Sequence, residues 1–439
     1  MFLPRTLLFF FILFVNVLCS QPTPNCIPGR FSETVIFSDA QIHKDTNIVV
    51  AYSFNPFSNS IDSITMNIYY PDTALDPMTE RPFILLAHGG SFLTGDLSTQ
   101  EYLCAEYAKR GFVSASINYR LGWNCPYFYL HDFCFYCPSD TGFLRVATYM
   151  AVQDIRTTLR FMGNNPQTWS VDPNWFFVGG ASAGSIASLH AAIWTQSQAN
   201  QFAPLAMSMV GLLDTAGNTF PVNYTIRGIT DNCGAIAEDS NLVSQLTIPM
   251  ISFNDEFDCF VPSDTGHIFM CACNTFYKVY GSGFIHPRMQ AAGNCTELNT
   301  AYNSNNHCSW PAPIIVQRSA CFFKRIMCNT CVSDTNSNLN YVKPCDSLGT
   351  GIEFWVDNFS VSVFPVPAND LVTVNFSEHA KHSGSFKCLN CLGQVVFSQS
   401  YAYMTKKIEI GTSSLPPGTY FIIFENAEQS RPLKMLIVH

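Results

Sequence analysis

The chain has 439 residues, of which 47% are hydrophobic and only 13% are charged. This composition can fill a large core and excludes a chain that is disordered throughout. Its 23 basic residues are outnumbered by 32 acidic ones, giving a net charge of -9, which argues against a broad nucleic-acid-binding surface. At about 150 residues per domain, the length predicts two or three domains, or one large domain with an appendage.

The first 20 residues have the layout of a secretory signal peptide. Arg5 precedes an apolar run over residues 7–15, and the segment ends at Ser20. The run is too short for a membrane span, and no other apolar stretch reaches about 18 residues, so we expect no transmembrane segment in the mature chain. Lipidation at Cys19 is the weaker alternative, because the bulky Leu18 stands where a small residue is needed. We therefore predict cleavage after Ser20.

Strand and helix patterns alternate in the first half of the mature chain, which favours a mainly parallel α/β sheet. The pattern predicts strands over 61–70, 83–87, 113–118 and 175–178, and helices over 101–110, 145–162 and 185–195. An aromatic segment with three cysteines, residues 123–142, interrupts this rhythm and is expected to be an insertion above the sheet.

The sequence pattern changes beyond residue 345, where apolar residues do not recur at helical spacing. Short apolar runs separated by turn residues predict strands over 371–376, 393–397, 407–410, 419–424 and 433–438. We expect a small all-β, immunoglobulin-like sandwich there. The predicted organisation is a signal peptide over 1–20, an α/β domain over 21–345, a linker over 346–359 and the sandwich over 360–439.

A serine motif lies between the strand predicted over 175–178 and the helix that follows it. Residues 180–184 (Gly-Ala-Ser-Ala-Gly) match the pattern G-x-S-x-G. A tight strand-to-helix turn holds such a serine in a strained conformation, and small neighbours avoid clashes. The Ser182 hydroxyl would then stand at a helix N-terminus, where the helix dipole stabilises developing negative charge. An ordinary turn of small residues is the alternative.

A glycine motif follows the buried strand over 83–87. It comprises residues 88–92 (His-Gly-Gly-Ser-Phe). Acyl transfer needs backbone N–H donors directed at the oxyanion, and glycines let the backbone approach a substrate closely. Gly89 or Gly90 can supply one donor, and Ala183 the other. The two motifs together predict a nucleophile with an oxyanion hole, whereas a glycine turn without chemical importance is the alternative for this segment.

Four segments carry a family resemblance that covers residues 60 to 335. They are residues 86–90 (Leu-Ala-His-Gly-Gly), 118–122 (Asn-Tyr-Arg-Leu-Gly), 151–156 (Ala-Val-Gln-Asp-Ile-Arg) and 179–184 (Gly-Gly-Ala-Ser-Ala-Gly). Together they resemble the carboxylesterase or lipase-type α/β-hydrolases. The resemblance implies the α/β-hydrolase fold and a Ser…Asp/Glu…His triad in that chain order, acting on esters without a metal or an organic cofactor.

The acid of such a triad lies downstream of the serine. Residues 248–253 predict a late core strand, after which family members often carry His-Gly-x-x-Asp-x-x-Val-Pro. Laid on that pattern, Asp258 takes the acid position, although Asn254 and Asp255 stand where His and Gly are usual. Asp258 is the predicted acid and Asp255 the alternative, and either carboxylate could instead be a solvated loop acid.

Three histidines follow the predicted acid. His307 lies in a loop after the strand predicted over 297–302, where a base can reach over Ser182, and we predict it as the general base. His267 is expected to begin a helix and to have a structural role. His286 lies in an expected loop, where a binding or structural role is the default.

The chain contains 18 cysteines, which is typical of proteins from an oxidising compartment. Cleavage after Ser20 removes Cys19 and leaves 17, so at least one thiol is free or paired between chains. C-x-x-C pairs at 134–137, 328–331 and 388–391 could belong to structural zinc sites. Because these pairs lie in different segments of an exported chain, we predict disulfides and no metal.

The tail carries a second set of motifs. They are residues 363–370 (Val-Phe-Pro-Val-Pro-Ala-Asn-Asp), 392–394 (Leu-Gly-Gln), 415–420 (Leu-Pro-Pro-Gly-Thr-Tyr) and 433–438. In this order they resemble the type A, Por-like C-terminal sorting domain of type IX secretion in Bacteroidetes, with Pro-Val-Pro where Pro-Asn-Pro is usual. The resemblance implies a secreted or cell-surface protein that crosses the outer membrane after Sec-type export, with the secretion machinery as a partner. An accessory sandwich, such as a carbohydrate-binding module, is the alternative.

These features predict a secreted serine hydrolase that cleaves carboxylic esters through an acyl-enzyme on Ser182. The predicted site comprises Ser182, Asp258 and His307, with Gly89, Gly90 and Ala183 around the oxyanion. The aromatic insertion could form an acyl- or aryl-binding wall, which would suit feruloyl or acetyl esters on polysaccharide. A serine peptidase on the same fold and a catalytically silent α/β-hydrolase used for binding or adhesion are the alternatives.

Overall fold

A computed structural model describes most of the chain. The described residues are 25–123, 141–238, 241–271, 275–342, 345, 354–356, 359–364, 368, 370–376, 383–390, 393–424 and 433–437. The predicted signal peptide over 1–20 and nearly all of the predicted insertion over 123–142 lie outside them. The chain divides into two compact units, with the boundary between Asp346 and Ser347.

The first unit alternates strands and helices along the chain. Its strands are β1 (Ile42–Asn55), β2 (Ser60–Pro71), β3 (Arg81–Ala87), β4 (Val113–Asn118), β5 (Val171–Ala181), β6 (Ile226–Asn232), β7 (Ala235–Ala237), β8 (Met250–Asp255), β9 (Thr265–His267), β10 (Lys278–Gly281), β11 (Thr296–Ala301) and β12 (Asp334–Asn336). Its helices are α1 (Glu101–Ala108), α2 (Thr141–Asn164), α3 (Ala183–Ile193), α4 (Gln196–Phe202), α5 (Ala206–Val210), α6 (Asn241–Gln245), α7 (Ser282–Ala291) and α8 (Ala312–Met327).

Nine of these strands form one sheet in the order β1-β2-β4-β3-β5-β6-β8-β11-β12. The first two pairings, β1 with β2 and β2 with β4, are antiparallel. Every pairing from β4 to β12 is parallel. The predicted mainly parallel α/β sheet is thus confirmed. The strands β7, β10 and β9 form a small separate sheet.

The sheet is covered on both faces, as its apolar strands require. All seven residues of β3 are buried. Because side chains alternate along a strand, Phe83 and Leu85 enter one core, which α2 and α3 share, whereas Ile84 and Leu86 enter the other, which α1 and α8 share. Within the described residues, no helix combines the length and apolarity that crossing a bilayer requires.

The second unit is an all-β sandwich with two four-stranded antiparallel sheets. Its strands are β13 (Phe354–Val356), β14 (Phe359–Phe364), β15 (Leu371–Phe376), β16 (Gly384–Asn390), β17 (Val395–Tyr401), β18 (Lys407–Gly411), β19 (Gly418–Phe424) and β20 (Leu433–Ile437). The sheet orders are β13-β14-β15-β18 and β17-β16-β19-β20. One buried cluster joins them, with Val372 and Val374 from the first sheet and Phe386 and Ile422 from the second.

The sequence pattern did not predict every strand of this region. The predicted linker over 346–359 contains β13, which pairs with β14 in an antiparallel ladder. The strand β16 was not predicted, although it is central in its sheet. Its Phe386 and Cys388 are buried while Lys387 between them is exposed, so the signal was an alternation too short to stand out.

Candidate active site

The candidate site lies at the carboxyl edge of the main sheet. Five adjacent strands, β3, β5, β6, β8 and β11, run parallel and end there. The last residues of neighbouring strands lie side by side, since Ala181 pairs with Asn232 and Asp255 pairs with Ala301. In open α/β sheets this edge is where ligands bind, because the loops that leave the strands converge on it.

Ser182 occupies a sharp turn between β5 and α3. Its backbone has φ 52° and ψ −120°, which a non-glycine residue adopts only under strain. The turn is held because the Ser182 amide donates to the carbonyl of Asn232, 2.8 Å away. A Cβ atom on Gly180 or on Gly184 would stand 2.3 or 2.2 Å from the carbonyl oxygen of Ala87. The small residues of the motif are therefore required by the close approach of β3.

The structure brings Ser182, His307 and Asp258 into one hydrogen-bonded chain. His307 Nε2 lies 2.8 Å from Ser182 Oγ, and His307 Nδ1 lies 2.6 Å from Asp258 Oδ2. The side chain of Asp258 is almost fully buried, while that of His307 is 24% exposed. The other carboxylate oxygen of Asp258 accepts the amides of Phe260 and Val261 at 2.8 and 3.2 Å. These contacts orient Asp258 toward the imidazole.

The loop after β3 lies directly against the serine. A Cβ atom on Gly89 would be 3.3 Å from Ser182 Cβ, which is closer than most such contacts, so the backbone at this position lies close to the serine. Gly90 has φ +116° and its carbonyl accepts the amides of Leu93 and Thr94, which tightens the loop. Ala183 begins α3, and the amide of a first helical residue has no partner within its helix. Gly89 thus lies against the serine, and Ala183 directly follows the serine at the start of α3.

His88 fixes the shape of this loop. Its ring stacks on Tyr119 with centroids 4.3 Å apart, and the Tyr119 hydroxyl donates to the His88 carbonyl at 2.8 Å. His88 Nδ1 lies 2.7 Å from the Gly89 carbonyl oxygen. Burial lowers the pKa of His88, so the ring stays neutral and Nδ1–H is the donor of that bond. The backbone at Gly89 is therefore held by the His88 ring, and the preceding carbonyl of His88 is held by Tyr119.

A buried ion pair links two of the four motifs that carry the family resemblance. The Arg120 guanidinium meets the carboxylate of Asp154 in a paired contact, with its Nη2 2.7 Å from Oδ1, and both side chains are almost fully buried. Gln153 accepts from the same guanidinium at 2.8 Å. The motif over 118–122 thus joins the motif over 151–156 on α2. This role is structural, since none of these residues contacts Ser182.

A buried carboxylate that the sequence analysis did not single out supports the serine turn. Asp231, near the end of β6, accepts hydrogen bonds from Ser185 Oγ on α3, from Ser282 Oγ on α7 and from the amide of Gly234. Burial raises the pKa of Asp231. These hydrogen bonds fix the first turn of α3 to β6 and α7. No sequence motif predicted them.

Two of the histidines lie in other elements than expected. His267 ends β9 instead of beginning a helix, and its Nδ1 lies 2.6 Å from the carbonyl oxygen of Phe276. His286 lies within α7, where glycines and Pro287 had predicted a loop. The burial of Ile285, His286 and Met289 against the sheet outweighs those weak local propensities. His286 Nε2 contacts Ser252 Oγ at 2.9 Å, and neither histidine reaches Ser182.

Five disulfides lie among the described residues. They join Cys26 to Cys328, Cys233 to Cys308, Cys259 to Cys271, Cys295 to Cys331 and Cys321 to Cys345. The C-x-x-C pair 328–331 is therefore split between two disulfides. The sulfurs of Cys233 and Cys308 come near His307, but as a disulfide they are not thiolate ligands for a metal. Cys104 and Cys388 are buried and form no disulfide in the described part of the chain.

A cavity of about 220 Å³ lies away from this site, beside the end of α3. It is lined by Trp194, Gln198, Gln201, Phe202, Ala237, Glu238 and Leu242. None of its lining residues belongs to the turn at Ser182, to the loop that carries His307 or to the loop at Gly89 and Gly90. The hydrogen-bonded chain at the sheet edge, not this cavity, is the candidate site.

A family model described as a secretion system C-terminal sorting domain matches residues 362–439. The match covers most of the sandwich, so the predicted sorting domain is confirmed. It points to a secreted or cell-surface protein.

Curated relatives are similar to short parts of the chain. "Neuroligin-like protein glit-1" of Caenorhabditis elegans is 35% identical over 130 residues, which are 30% of this chain and 16% of that protein. "Carboxylesterase 3B" of Mus musculus is 32% identical over 130 residues, 30% of this chain and 20% of that protein. "Esterase LipI" of Mycobacterium tuberculosis is 38% identical over 65 residues, 15% of this chain and 20% of that protein. The chain therefore spans no more than 20% of the length of these three relatives.

Solved structures of two esterases and of an α/β hydrolase enzyme are similar over about two thirds of the chain. Inhibited esterase B from Lactobacillus rhamnosis is 17% identical with a TM-score of 0.41, covering 65% of this chain and 87% of that chain. Esterase 2 of Thermogutta terrifontis, phosphorylated by paraoxon, is 15% identical with a TM-score of 0.43, covering 67% and 96%. An α/β hydrolase enzyme from a Medee basin deep-sea metagenome is 14% identical with a TM-score of 0.41, covering 65% and 98%. The first unit's own strands and helices show the predicted mainly parallel α/β sheet, covered by helices on both faces.

Proposed function

We propose that the protein is a secreted serine hydrolase that cleaves carboxylic esters. The observation that carries this proposal is the hydrogen-bonded chain from Ser182 through His307 to Asp258, with separations of 2.8 and 2.6 Å. Nucleophile, base and orienting acid at such distances are the arrangement that acyl transfer requires. The similarity of parts of the chain to proteins named as esterases supports the ester-cleaving class.

In the proposed mechanism, each step moves one proton through His307. Because His307 Nδ1 faces a carboxylate, that nitrogen carries the proton, and Nε2 accepts the proton of Ser182. Ser182 Oγ attacks the ester carbonyl carbon, and the carbonyl oxygen becomes an oxyanion. His307 then gives its Nε2 proton to the leaving alkoxide, which departs as an alcohol and leaves an acyl-enzyme on Ser182.

Water completes the cycle with the same residues. His307 Nε2 takes a proton from a water molecule, whose oxygen attacks the acyl carbon. The carboxylic acid departs as Ser182 Oγ recovers the proton from His307. In both halves the amides of Gly89 or Gly90 and of Ala183 stabilise the oxyanion, and each such donor is worth about 3 kcal/mol of barrier in this class of reaction.

Hydrolysis of p-nitrophenyl acetate and p-nitrophenyl butyrate by Ser182→Ala tests the proposal. We expect activity to fall by about 10⁴-fold or more, because the nucleophile is lost. Ser188→Ala is the matched control, since Ser188 is a buried serine of the same helix whose hydroxyl donates to the Gly179 carbonyl. Full activity of Ser182→Ala would refute the mechanism, and a preference for peptide over ester substrates would favour the peptidase alternative.

The substrate class stays a prediction, because the aromatic insertion lies outside the described residues. We propose acyl esters, with feruloyl or acetyl esters of polysaccharide as the first natural candidates. A panel of methyl ferulate, acetylated xylan and p-nitrophenyl esters of increasing chain length would test this. Activity on long-chain esters alone would contradict it.

We further propose that the sandwich serves export through the type IX machinery and that a signal peptide is removed after Ser20. The match of residues 362–439 to a sorting domain supports this route. Intact-mass analysis of the extracellular product should give a chain that starts at Gln21 and has lost the tail or carries an attached surface group. An extracellular product with the full, unmodified tail would contradict the sorting role.

A further inference from the structure

Asp255 is a fully buried carboxylate at the end of β8, three residues before the proposed acid of the triad. Its partners all belong to the loop between β11 and α8 that carries His307. Oδ1 accepts from the Ser304 hydroxyl at 2.5 Å and from the Ser309 hydroxyl, and Oδ2 accepts from the Ser309 amide at 3.0 Å. These donors lie three residues before His307 and two residues after it.

We propose that Asp255 is a positioning residue for the general base, because its one carboxylate binds both flanks of the His307 loop. The inference rests on the proposed function and adds a role that the predicted triad lacked. A buried carboxylate forms charge-assisted hydrogen bonds, which are roughly twice as strong as neutral ones. Holding a loop at two points on either side of its reactive residue limits the positions that the imidazole can take.

The contacts of Asp255 with Ser304 and Ser309 are called the clamp below. Neighbouring contacts hold the same loop. The amide of Phe257 donates to the Ser304 carbonyl at 2.8 Å, and the Glu256 carboxylate accepts the amide of Asn303 at 2.8 Å. After the histidine, the Trp310 indole donates to the Asn254 carbonyl at 3.1 Å. The loop after β8 thus meets the loop after β11 along its length, and Asp255 supplies the only contact among these that touches both sides of His307.

Asp255 is not the triad acid that the sequence left open as an alternative. His307 Nδ1 contacts Asp258, and both oxygens of Asp255 are occupied by the two serines. Asp255 stands where the family pattern has glycine, which has no side chain to bind a loop. The carboxylate is therefore a feature of this chain and not of the pattern that predicted Asp258.

The test compares kcat and KM of Asp255→Ala, Ser309→Ala and the double variant with those of the unaltered full chain. We expect Asp255→Ala to lower kcat about 10- to 100-fold, since small misplacement of a reacting group costs that much, while KM changes less than about 3-fold. Ser309→Ala should lower kcat by a smaller factor. The double variant should be no slower than Asp255→Ala, because Asp255→Ala already removes the contact with the Ser309 hydroxyl.

Asp172→Ala is the matched control for a buried carboxylate. Asp172 is also nearly fully buried and accepts hydrogen bonds from Asn25 and Asn174, at the opposite end of β5 from Ser182. We expect this variant to lose thermal stability but to keep its kcat. Should Asp255→Ala fail to fold, Ser309→Ala alone tests the clamp, because it removes one hydroxyl and leaves the carboxylate in place.

The outcomes separate this inference from the proposed function. An unchanged kcat in Asp255→Ala, together with an inactive Ser182→Ala, would overturn the positioning role and leave the hydrolase intact. Equal kcat losses in Asp255→Ala and Asp172→Ala would also overturn it, since they would reflect stability alone. Hydrolysis that survives Ser182→Ala would instead refute the proposed function. A selective kcat loss with coupled effects of Asp255 and Ser309 supports the clamp.

Discussion

Ser182 is held in a conformation that few residues other than glycine adopt, and its surroundings explain how. The strained backbone costs of the order of 1–3 kcal/mol, which the neighbouring hydrogen bonds offset. The amide of Ser182 binds the Asn232 carbonyl, and the Ser182 carbonyl accepts the amide of Ile186 at 2.9 Å. The sequence predicted this turn well, because G-x-S-x-G reports a local steric requirement.

Gly184→Ala tests the steric part of this account. The added methyl group would stand 2.2 Å from the Ala87 carbonyl oxygen and 2.3 Å from that of His88, so α3 must move away from β3. We expect unfolding free energy to fall by about 1–3 kcal/mol and ester hydrolysis to fall at least 10-fold. Gly411→Ala is the control, because a Cβ atom there meets nothing within 4 Å. Equal activity in the two variants would contradict the requirement for a small residue at position 184.

Asp258→Asn tests the orientation of the histidine. An amide can present its NH₂ group to Nδ1, which would favour the wrong tautomer and leave Nε2 protonated before the reaction. We expect kcat to fall about 10³- to 10⁴-fold with little change in stability. Asp264→Asn, at an exposed acid six residues further on, should keep full activity. A change in Asp258→Asn of less than about 10-fold would assign the acid role elsewhere.

At the scale of elements, a disulfide ties two of the loops at the carboxyl edge of the sheet. Cys308, next to His307, is joined to Cys233, which follows β6. Neither the pairing nor the clamp by Asp255 could be predicted, because each depends on which strands are neighbours in the sheet. β6 contains Arg, Gly, Thr and Asp, so its sequence lacks the apolar run that would predict a buried strand.

Replacing both cysteines, Cys233→Ser with Cys308→Ser, tests whether this disulfide supports the histidine loop. We expect a loss of about 2–4 kcal/mol of stability and, in addition, a roughly 10-fold fall in kcat, since the loop gains freedom next to His307. The variant with Cys295→Ser and Cys331→Ser is the control, because Cys295 precedes β11, at the opposite edge of the sheet. Its stability should fall by a similar amount while kcat stays unchanged. Equal kcat values in the two double variants would contradict the supporting role.

At the scale of the whole molecule, buried neutral histidines make stability depend on pH. Burial lowers the pKa of His286 to about 3 and that of His190 to about 4. The unfolded chain takes up these protons near pH 6.5, so unfolding becomes more favourable as the pH falls from 6.5 toward 4. Asp231, whose pKa is raised by burial, acts in the opposite direction over part of that range.

His286→Gln isolates the contribution of one histidine. The free energy of unfolding of the unaltered chain should fall between pH 6.5 and 4.5, and each buried histidine contributes at most about 1.4 kcal/mol per pH unit. The variant should show a shallower slope than the unaltered chain, whatever its absolute stability. His43→Gln is the control, because the His43 side chain is 54% exposed. Identical slopes in all three proteins would contradict the assignment of a buried neutral His286.

The fold and the candidate site differed in how far the sequence could predict them. The alternation of the first half predicted a parallel sheet, and the chain order of the motifs predicted that Ser182, Asp258 and His307 would meet. The supporting residues Asp231 and Asp255 were not predicted in these roles, since their serine partners are at least 46 and 49 positions away in the chain. A carboxylate that binds distant serines leaves no local pattern.

The most direct test of the central claim is the site of covalent labelling by a fluorophosphonate. After reaction of the full chain, peptide mass mapping should place one phosphonyl group on Ser182, and Ser182→Ala should take up none. Labelling should also slow in Asp258→Asn, because the serine then lacks an activated base. Label on another residue, or equal labelling of Ser182→Ala, would contradict a serine hydrolase built on Ser182.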